Sequence, residues 1–426
     1  LVDYTDSSSK EELMKRNVRL LAGVAGVAAL SLAVAACSSG GGSKSSSSAS
    51  AGGSSSASFS GEPFRIAVLG GITAPGVTAN NSATSVLSAQ AGAAYANQHG
   101  GIGGRKVVVD VLDDKADPTT AVSKLREYLA SHKPDAVMNS GPSTITTATL
   151  PILKQNNILS FNIGPTADSS NPSVWPLNFD LSASPVDYAR GYVTYLNSKG
   201  YKKVGILHGN TAYGETFGAQ LESSLKAAGF TVTANQEYDA KALDMTPQVQ
   251  AVQASSPEAL ILDAYGAPLG YVLKNIQKLG WNVPILGDVS VAATGTISSP
   301  PPDGLMGTDT VKNVVMQVYN STKYDASASR TNEAVALMKS LGEIKSTLIN
   351  AYNYDGVLLM VAAAKQAGSS DDAKIATALV DPAVQKAAQT AMVSLYAFTK
   401  SSHGANAAGT EFKFIAPGPI MDGQYH

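Results

Sequence analysis

Ser143 is the residue whose setting most invites a chemical role. It follows Gly141-Pro142, just past the apolar run Asp135 to Met138, and opens a segment with helical spacing. As a nucleophile it would need an elbow of the G-x-S-x-G kind, but Gly141-Pro-Ser143-Thr-Ile145 lacks the second glycine. As a binding residue it would act with Thr144. The hydroxyl and free N–H groups of a first helical turn, backed by the helix dipole, favour an anion such as a carboxylate. The same position also suits an ordinary N-cap. The five histidines, His99, His132, His208, His403 and His426, lie far apart with no metal-ligand spacing, and no H-E-x-x-H motif is present. Cys37 is the single cysteine, which excludes an internal disulfide, a Cys-based zinc site and an iron–sulfur cluster. No G-x-x-x-x-G-K-S/T stretch occurs, and Gly101-Ile-Gly103 follows a helical segment rather than a strand, so neither a P-loop nor a dinucleotide fingerprint is expected. With 31 Lys+Arg against 33 Asp+Glu, the net charge of −2 leaves no cationic excess for nucleic acid or a polybasic membrane contact.

The elements that must position these residues begin late in the chain. Lys15, Arg16 and Arg19 precede Leu20 to Ala36, an uncharged run of Leu, Ala, Val, Gly and one Ser. A basic stretch, an apolar stretch and small residues before Cys37 describe a secretory signal over residues 1–36. The run is too short and too rich in Ala and Gly to be a good transmembrane helix. Residues 1–13 are polar and precede Met14, the first plausible start. The Val34-Ala35-Ala36-Cys37 end resembles a bacterial lipobox, which implies cleavage before Cys37 and lipidation of its thiol; otherwise the cysteine is inert. Ser38 to Ser60 holds 13 Ser in 23 residues and reads as a flexible tether completing residues 37–61, with an r.m.s. span of roughly 25 Å.

From Phe64 the text changes. At 426 residues with 44% hydrophobic content, the chain can bury a large core in two or three folding units. Apolar runs at Arg65 to Gly70, Lys106 to Leu112, Asp135 to Met138 and Ile158 to Ile163 alternate with helical segments at Ser82 to Asn97, Asp117 to Ser131 and Ser143 to Asn156. The rhythm resumes after Pro185 with strands at Val204 to His208, Thr231 to Tyr238, Ala259 to Asp263 and Pro284 to Leu286. Such alternation predicts βαβ units and parallel sheets. The break near the Pro-rich stretch Pro172 to Pro185 favours two doubly wound lobes over one barrel. Beyond Pro302 the chain turns more helical, with Thr331 to Leu341, Lys345 to Ala367 and Asp371 to Leu379.

Phe64 to Gly71, Asn97-Gln-His-Gly-Gly-Ile-Gly-Gly104 and Asp113-Asp-Lys-Ala-Asp-Pro118 together resemble the start of the branched-chain amino-acid-binding type of ABC-transporter solute receptor. Gly141-Pro-Ser-Thr144, Ile163-Gly-Pro-Thr-Ala167, Leu207-His-Gly-Asn-Thr-Ala-Tyr-Gly214 and Tyr354-Asp355-Gly356 agree with it in order and spacing. The resemblance implies a type I periplasmic-binding fold of the α/β class, two doubly wound parallel-sheet lobes joined by a three-crossover hinge. By that pattern lobe one is 62–182 plus 312–388 and lobe two 183–311 plus 389–426.

It also implies the site. Solute would lie in the cleft, with Ser143, Thr144, Gly164 and Thr166 holding its carboxylate and amino group and Tyr213 and Tyr265 closing from lobe two. Read alone, Tyr213 suits equally a surface tyrosine opening a helix. The family's ammonium-pairing acid aligns with Val289, one residue from Asp288, so an amino-acid ligand would need Asp288 to turn inward. Ala116 and Pro142 stand where some relatives have a cysteine pair. The implied protein is an extracytoplasmic receptor, lipid-anchored through Cys37, that feeds ABC permease subunits without cofactor or metal. A ligand sensor on the same fold and a secreted hydrolase using Ser143 with a distant His are the alternatives. Amino acids, short amides or urea, and aromatic or aliphatic acids all suit this scaffold.

Overall fold

In the computed structural model, residues 58–426 are described; the signal segment, Cys37 and nearly all of the tether lie outside them. The first sheet is built from β1 (Phe64–Gly70), β2 (Val107–Asp113), β3 (Ala136–Asn139), β4 (Leu159–Asn162) and β5 (Asn178–Asp180). Their order is β2-β1-β3-β4-β5, and every pairing is parallel. Helices α1 (Val77–Gln98), α2 (Pro118–Leu129) and α3 (Ser143–Gln155) make the connections. Asp117 caps α2 by accepting from Thr120 N–H, with Pro118 at the first helical position. Central strand β1 is almost wholly buried, as a strand covered on both faces must be.

The second sheet repeats the plan. Helix α4 (Pro185–Lys199) starts it under a capping box between Ser184 and Asp187. There follow β6 (Lys203–Gly209), α5 (Ala212–Ala227), β7 (Thr231–Tyr238), α6 (Thr246–Ala254), β8 (Ala259–Leu262), α7 (Ala267–Lys278), β9 (Ile285–Gly287), α8 (Val289–Ala292) and β10 (Val314–Tyr319). The chain then returns through α9 (Ser329–Leu341), α10 (Tyr352–Ala367), α11 (Asp372–Leu379) and α12 (Pro382–Ala387), and ends in β11 (Phe412–Ile415) and the small pair β12 (Ile420–Met421) and β13 (Gln424–Tyr425). The second sheet runs β11-β10-β9-β8-β6-β7, parallel except where β11 meets β10. Both sheets therefore reverse direction next to their first strand, at β1/β3 and at β6/β8. In open α/β sheets ligands collect at such points, outside the carboxyl ends of the strands.

The pairings shift the expected lobe boundaries. β10 lies inside the expected second segment of lobe one, yet it pairs with β9 of the second sheet. The following helices do belong with lobe one, since α9 and α10 both pack on α1. Residues 389–406 also stay with lobe one instead of crossing at 389. Oxygens of the buried Asp355 carboxylate accept from the N–H groups of Ala391, Met392 and Val393. His403 stacks on Phe179, and its carbonyl accepts from Asp180 N–H. The crossovers thus fall near 181–184, 320–328 and 407–411 by sheet membership. Residues 345–351 are not the α-helical start expected: Lys345 and Ser346 donate their N–H groups to Thr84 Oγ1, Leu348–Asn350 form only a 3-10 turn, and α10 begins at Tyr352. No described helix is long and apolar enough to cross a membrane.

Candidate ligand-binding cleft

The carboxyl ends of the two sheets face one cavity of about 490 Å³, inside the roughly 300–1,000 Å³ range of small-molecule sites. Of the expected residues, Ser143, Thr144, Gly164, Tyr213 and Tyr265 line it; Thr166 and Asp288 do not.

On the lobe-one side, Pro142 occupies the N-cap position of α3 with no side-chain cap, and Ser143 is the first helical residue. The serine is therefore not an N-cap. Ile145 N–H is bonded back to the Pro142 carbonyl, which leaves the Ser143 and Thr144 N–H groups as the open donors of the turn. Gly164 packs against that turn so closely that a Cβ on it would lie 2.7 Å from Ser143 N. Thr146 Oγ1 donates to the Gly164 carbonyl at 2.8 Å and locks the loop in place. Thr166 is occupied elsewhere: it accepts from Ser169 N–H, and its own N–H donates to Ser169 Oγ. Ser169 in turn donates to Asp180, a carboxyl that burial pushes up to about 6. Thr166 lines a separate, smaller cavity.

On the lobe-two side, Tyr213 sits in the first turn of α5, where Thr211 caps the helix through Gly214 N–H. Its hydroxyl donates to Asp288 Oδ2 at 2.7 Å. Asp288 is fully buried behind the cleft wall, and burial, reinforced by nearby Asp263, pushes its carboxyl up to about 7. Asp288 does not turn into the cleft, as pairing an amino-acid ligand through it would require, and the neighbours Val289 and Ser290 line the cavity instead.

Asp263, unmarked as a site residue by the sequence reading, is the one charged side chain among the described residues that line the cavity. It follows β8 at the switch point, and its Oδ1 accepts from Ser290 Oγ at 2.6 Å. Burial raises its pKa, opposed by the bonds from Ser290 and Gly209 and by His208. Asp263 closes the apolar run Ala259 to Asp263 that precedes Tyr265, so its place at a strand end was legible in the sequence. Thr78 and Asn81 of α1 also line the cleft, and the Asn81 side-chain amide donates to the Tyr265 hydroxyl from the opposite lobe. No local pattern on α1 marked these two. Tyr188, Tyr238, Asn350 and Tyr352 complete much of the remaining wall.

The arrangement is that of a binder. Among the described residues, helix N-terminal donors line the cavity from lobe one, a single carboxylate lines it from lobe two, and no histidine in the lining lies beside Ser143. Among the described residues no group of His, Cys, Asp and Glu is arranged to hold a metal ion.

The profile of the family described as periplasmic binding protein matches residues 63–408. The chain is 23% identical over 292 residues, 67% of its length and 75% of the relative's, to Leu/Ile/Val-binding protein homolog 3 of Brucella melitensis. A type 1 periplasmic binding protein from Bordetella pertussis has the same fold, with a TM-score of 0.69 at 19% identity over 83% of this chain and 96% of that one. A solute-binding protein of an R. palustris ABC transporter, solved in complex with 4-hydroxybenzoate, aligns with a TM-score of 0.62 at 17% identity over 75% of this chain and 85% of that one.

Proposed function

The chain belongs to the periplasmic binding protein family, whose members bind solutes outside the cytoplasm and are not enzymes, and on that premise we propose that it is the solute receptor of an ABC importer for a small amino acid or related carboxylate. The open N–H groups of Ser143 and Thr144, with the Ser143 hydroxyl, receive the ligand carboxylate at the start of α3. Asp263 receives its ammonium. The observation that carries this reading is that, among the described residues lining the cavity, Asp263 is the one carboxylate and no side chain is cationic. A buried charge is costly unless paired, so a ligand bringing a positive charge to that wall is favoured over a plain anion.

Ligand acts by population shift: contacts from both lobes exist together only in the closed form, which then docks on permease subunits. Lipidation of Cys37 holds the receptor at the outer face of the membrane. A second reading, an aromatic carboxylic acid as ligand, is favoured by the tyrosines in the wall and by the 4-hydroxybenzoate bound to the R. palustris relative.

Titration calorimetry of the full chain with amino acids, their deaminated acids and neutral amides tests the proposal. Amino acids are expected to bind at least tenfold tighter than the matched deaminated acids. Equal or tighter binding of the acids would replace the first reading with the second, and binding of amides alone would remove the carboxylate role of α3.

A further inference from the structure

The cleft is large for a free amino acid. Its volume of about 490 Å³ lies between lobes that already touch. Asn81 of α1 is bonded to Tyr265, a Cβ on Gly266 would lie 3.8 Å from Val77 of α1, and α3 packs on α5. The space is therefore not that of a gaping hinge. A water molecule takes about 30 Å³ of the liquid. Even at one such share per non-hydrogen atom, leucine, with about nine, fills little more than half of the cavity. A dipeptide of small or medium residues has about 13 to 17 such atoms and fills it. A smaller solute leaves walls such as Ile163, Val289, Ala293 and Ile349 without packing partners.

The lining also holds neutral polar groups beyond the donors of α3 and the Asp263 carboxylate. Asn81 and Asn350 both line the cavity, and both are at least nine-tenths buried. Each spends a side-chain N–H on protein, Asn81 on the Tyr265 hydroxyl and Asn350 on Ser346 Oγ at 3.1 Å. Neither side-chain oxygen accepts a hydrogen bond from the described residues. A buried acceptor left unpaired is costly, and each of these can take an N–H. A peptide bond supplies a neutral N–H between two charged ends, which a free amino acid does not have.

Resting on the receptor reading above, we propose that the solute is a dipeptide-sized zwitterion. Its carboxylate lies at α3, its ammonium at Asp263, and its amide N–H is given to an asparagine oxygen, that of Asn81 or Asn350. Its two side chains fill the apolar part of the wall.

The test is calorimetric titration of the full chain with alanine, leucine, alanyl-leucine, leucyl-alanine, and the matched depsipeptides in which an ester oxygen replaces the amide N–H. At least one dipeptide is expected to bind tenfold or more tighter than both amino acids. Its depsipeptide is expected to bind roughly 2- to 12-fold more weakly than the dipeptide, the effect of one lost hydrogen bond. Ala240 and Ala293 line the cavity, so Ala240→Leu and Ala293→Val take up part of its space. At least one of these variants is expected to narrow the margin of the dipeptide over leucine by fivefold or more, and comparing the two solutes on one variant separates this from any loss of folded protein. Free leucine or alanine binding as tightly as both dipeptides, or tighter, overturns the proposal and leaves the receptor reading intact. Absence of binding by both dipeptides at millimolar concentration overturns it too, and if deaminated acids alone bind, the zwitterionic reading fails with it. A depsipeptide that matches its dipeptide, or a margin that survives both variants, also overturns it.

Discussion

The Tyr213 hydroxyl donates to Asp288 Oδ2 at 2.7 Å, and this bond assigns two acidic residues to different tasks. Asp288, after β9, holds the tyrosine from within lobe two, while Asp263, after β8, lines the cleft. The aromatic wall and the acid that orients it are thus one unit, although 75 residues separate them in the chain.

Asp263→Asn keeps the volume and removes the charge. Loss of one partner of a buried charge pair costs about 2–5 kcal/mol of binding. Calorimetry is expected to show at least a 30-fold weaker affinity for cationic or zwitterionic solutes with little change for a neutral amide. An unchanged affinity for every zwitterion would remove Asp263 from the site.

Stability is expected to depend on pH through Asp288. Burial lifts its carboxyl in the folded chain to about 7, above the ordinary carboxylate value. The folded state therefore holds the proton more tightly than the unfolded one. The contribution is fully present below the unfolded pKa and is lost as pH rises toward 7. Denaturation of the ligand-free protein at a series of pH values, for wild type and Asp288→Asn, isolates this group from other buried carboxyls such as Asp180 and Asp355, which shift in the same direction. The variant is expected to show the shallower decline; parallel curves would contradict the assignment.

Asn81 and Tyr265 join the lobes across the cleft mouth. A neutral hydrogen bond contributes about 0.5–1.5 kcal/mol net, so Asn81→Ala is expected to speed solute release by roughly 2- to 12-fold while leaving association nearly unchanged. Stopped-flow dissociation measures this. An effect confined to the association rate would mean that the bond does not act on the closed form.

Gly164→Ala places a methyl 2.7 Å from Ser143 N, against backbone that cannot swing aside. The first turn of α3 must shift, so binding is expected to weaken by tenfold or more, with a far smaller change in melting temperature. Wild-type affinity would show that the turn is not part of the site.

Cys37→Ser is expected to release the receptor into the medium or leave it uncleaved, read by fractionation and mass spectrometry. A processed variant that stays with the membrane would exclude the lipid anchor.

The alternation of apolar runs and helical segments, with turn residues between them, was enough to place two doubly wound lobes, because a βαβ unit is encoded locally. Strand ends were legible for the same reason and marked Ser143, while Gly164, Tyr213 and Tyr265 came from the family resemblance. What a strand end does not encode is which neighbouring side chain faces the cleft. Asp288 and Val289 differ by one position, and only the bond of Tyr213 to Asp288 decided that the acid points away from the cleft, into lobe two. The lobe boundaries were hidden for a related reason. β10 is set in the second sheet by pairing with β9 and with β11, and the partner strand β11 lies nearly a hundred residues further on. The segment after α12 is held to lobe one by the Asp355 carboxylate. Asp263 became the acid of the cleft only when β6, β7 and β8 came side by side, since a site shared among strands far apart in sequence exists only after the sheet has formed.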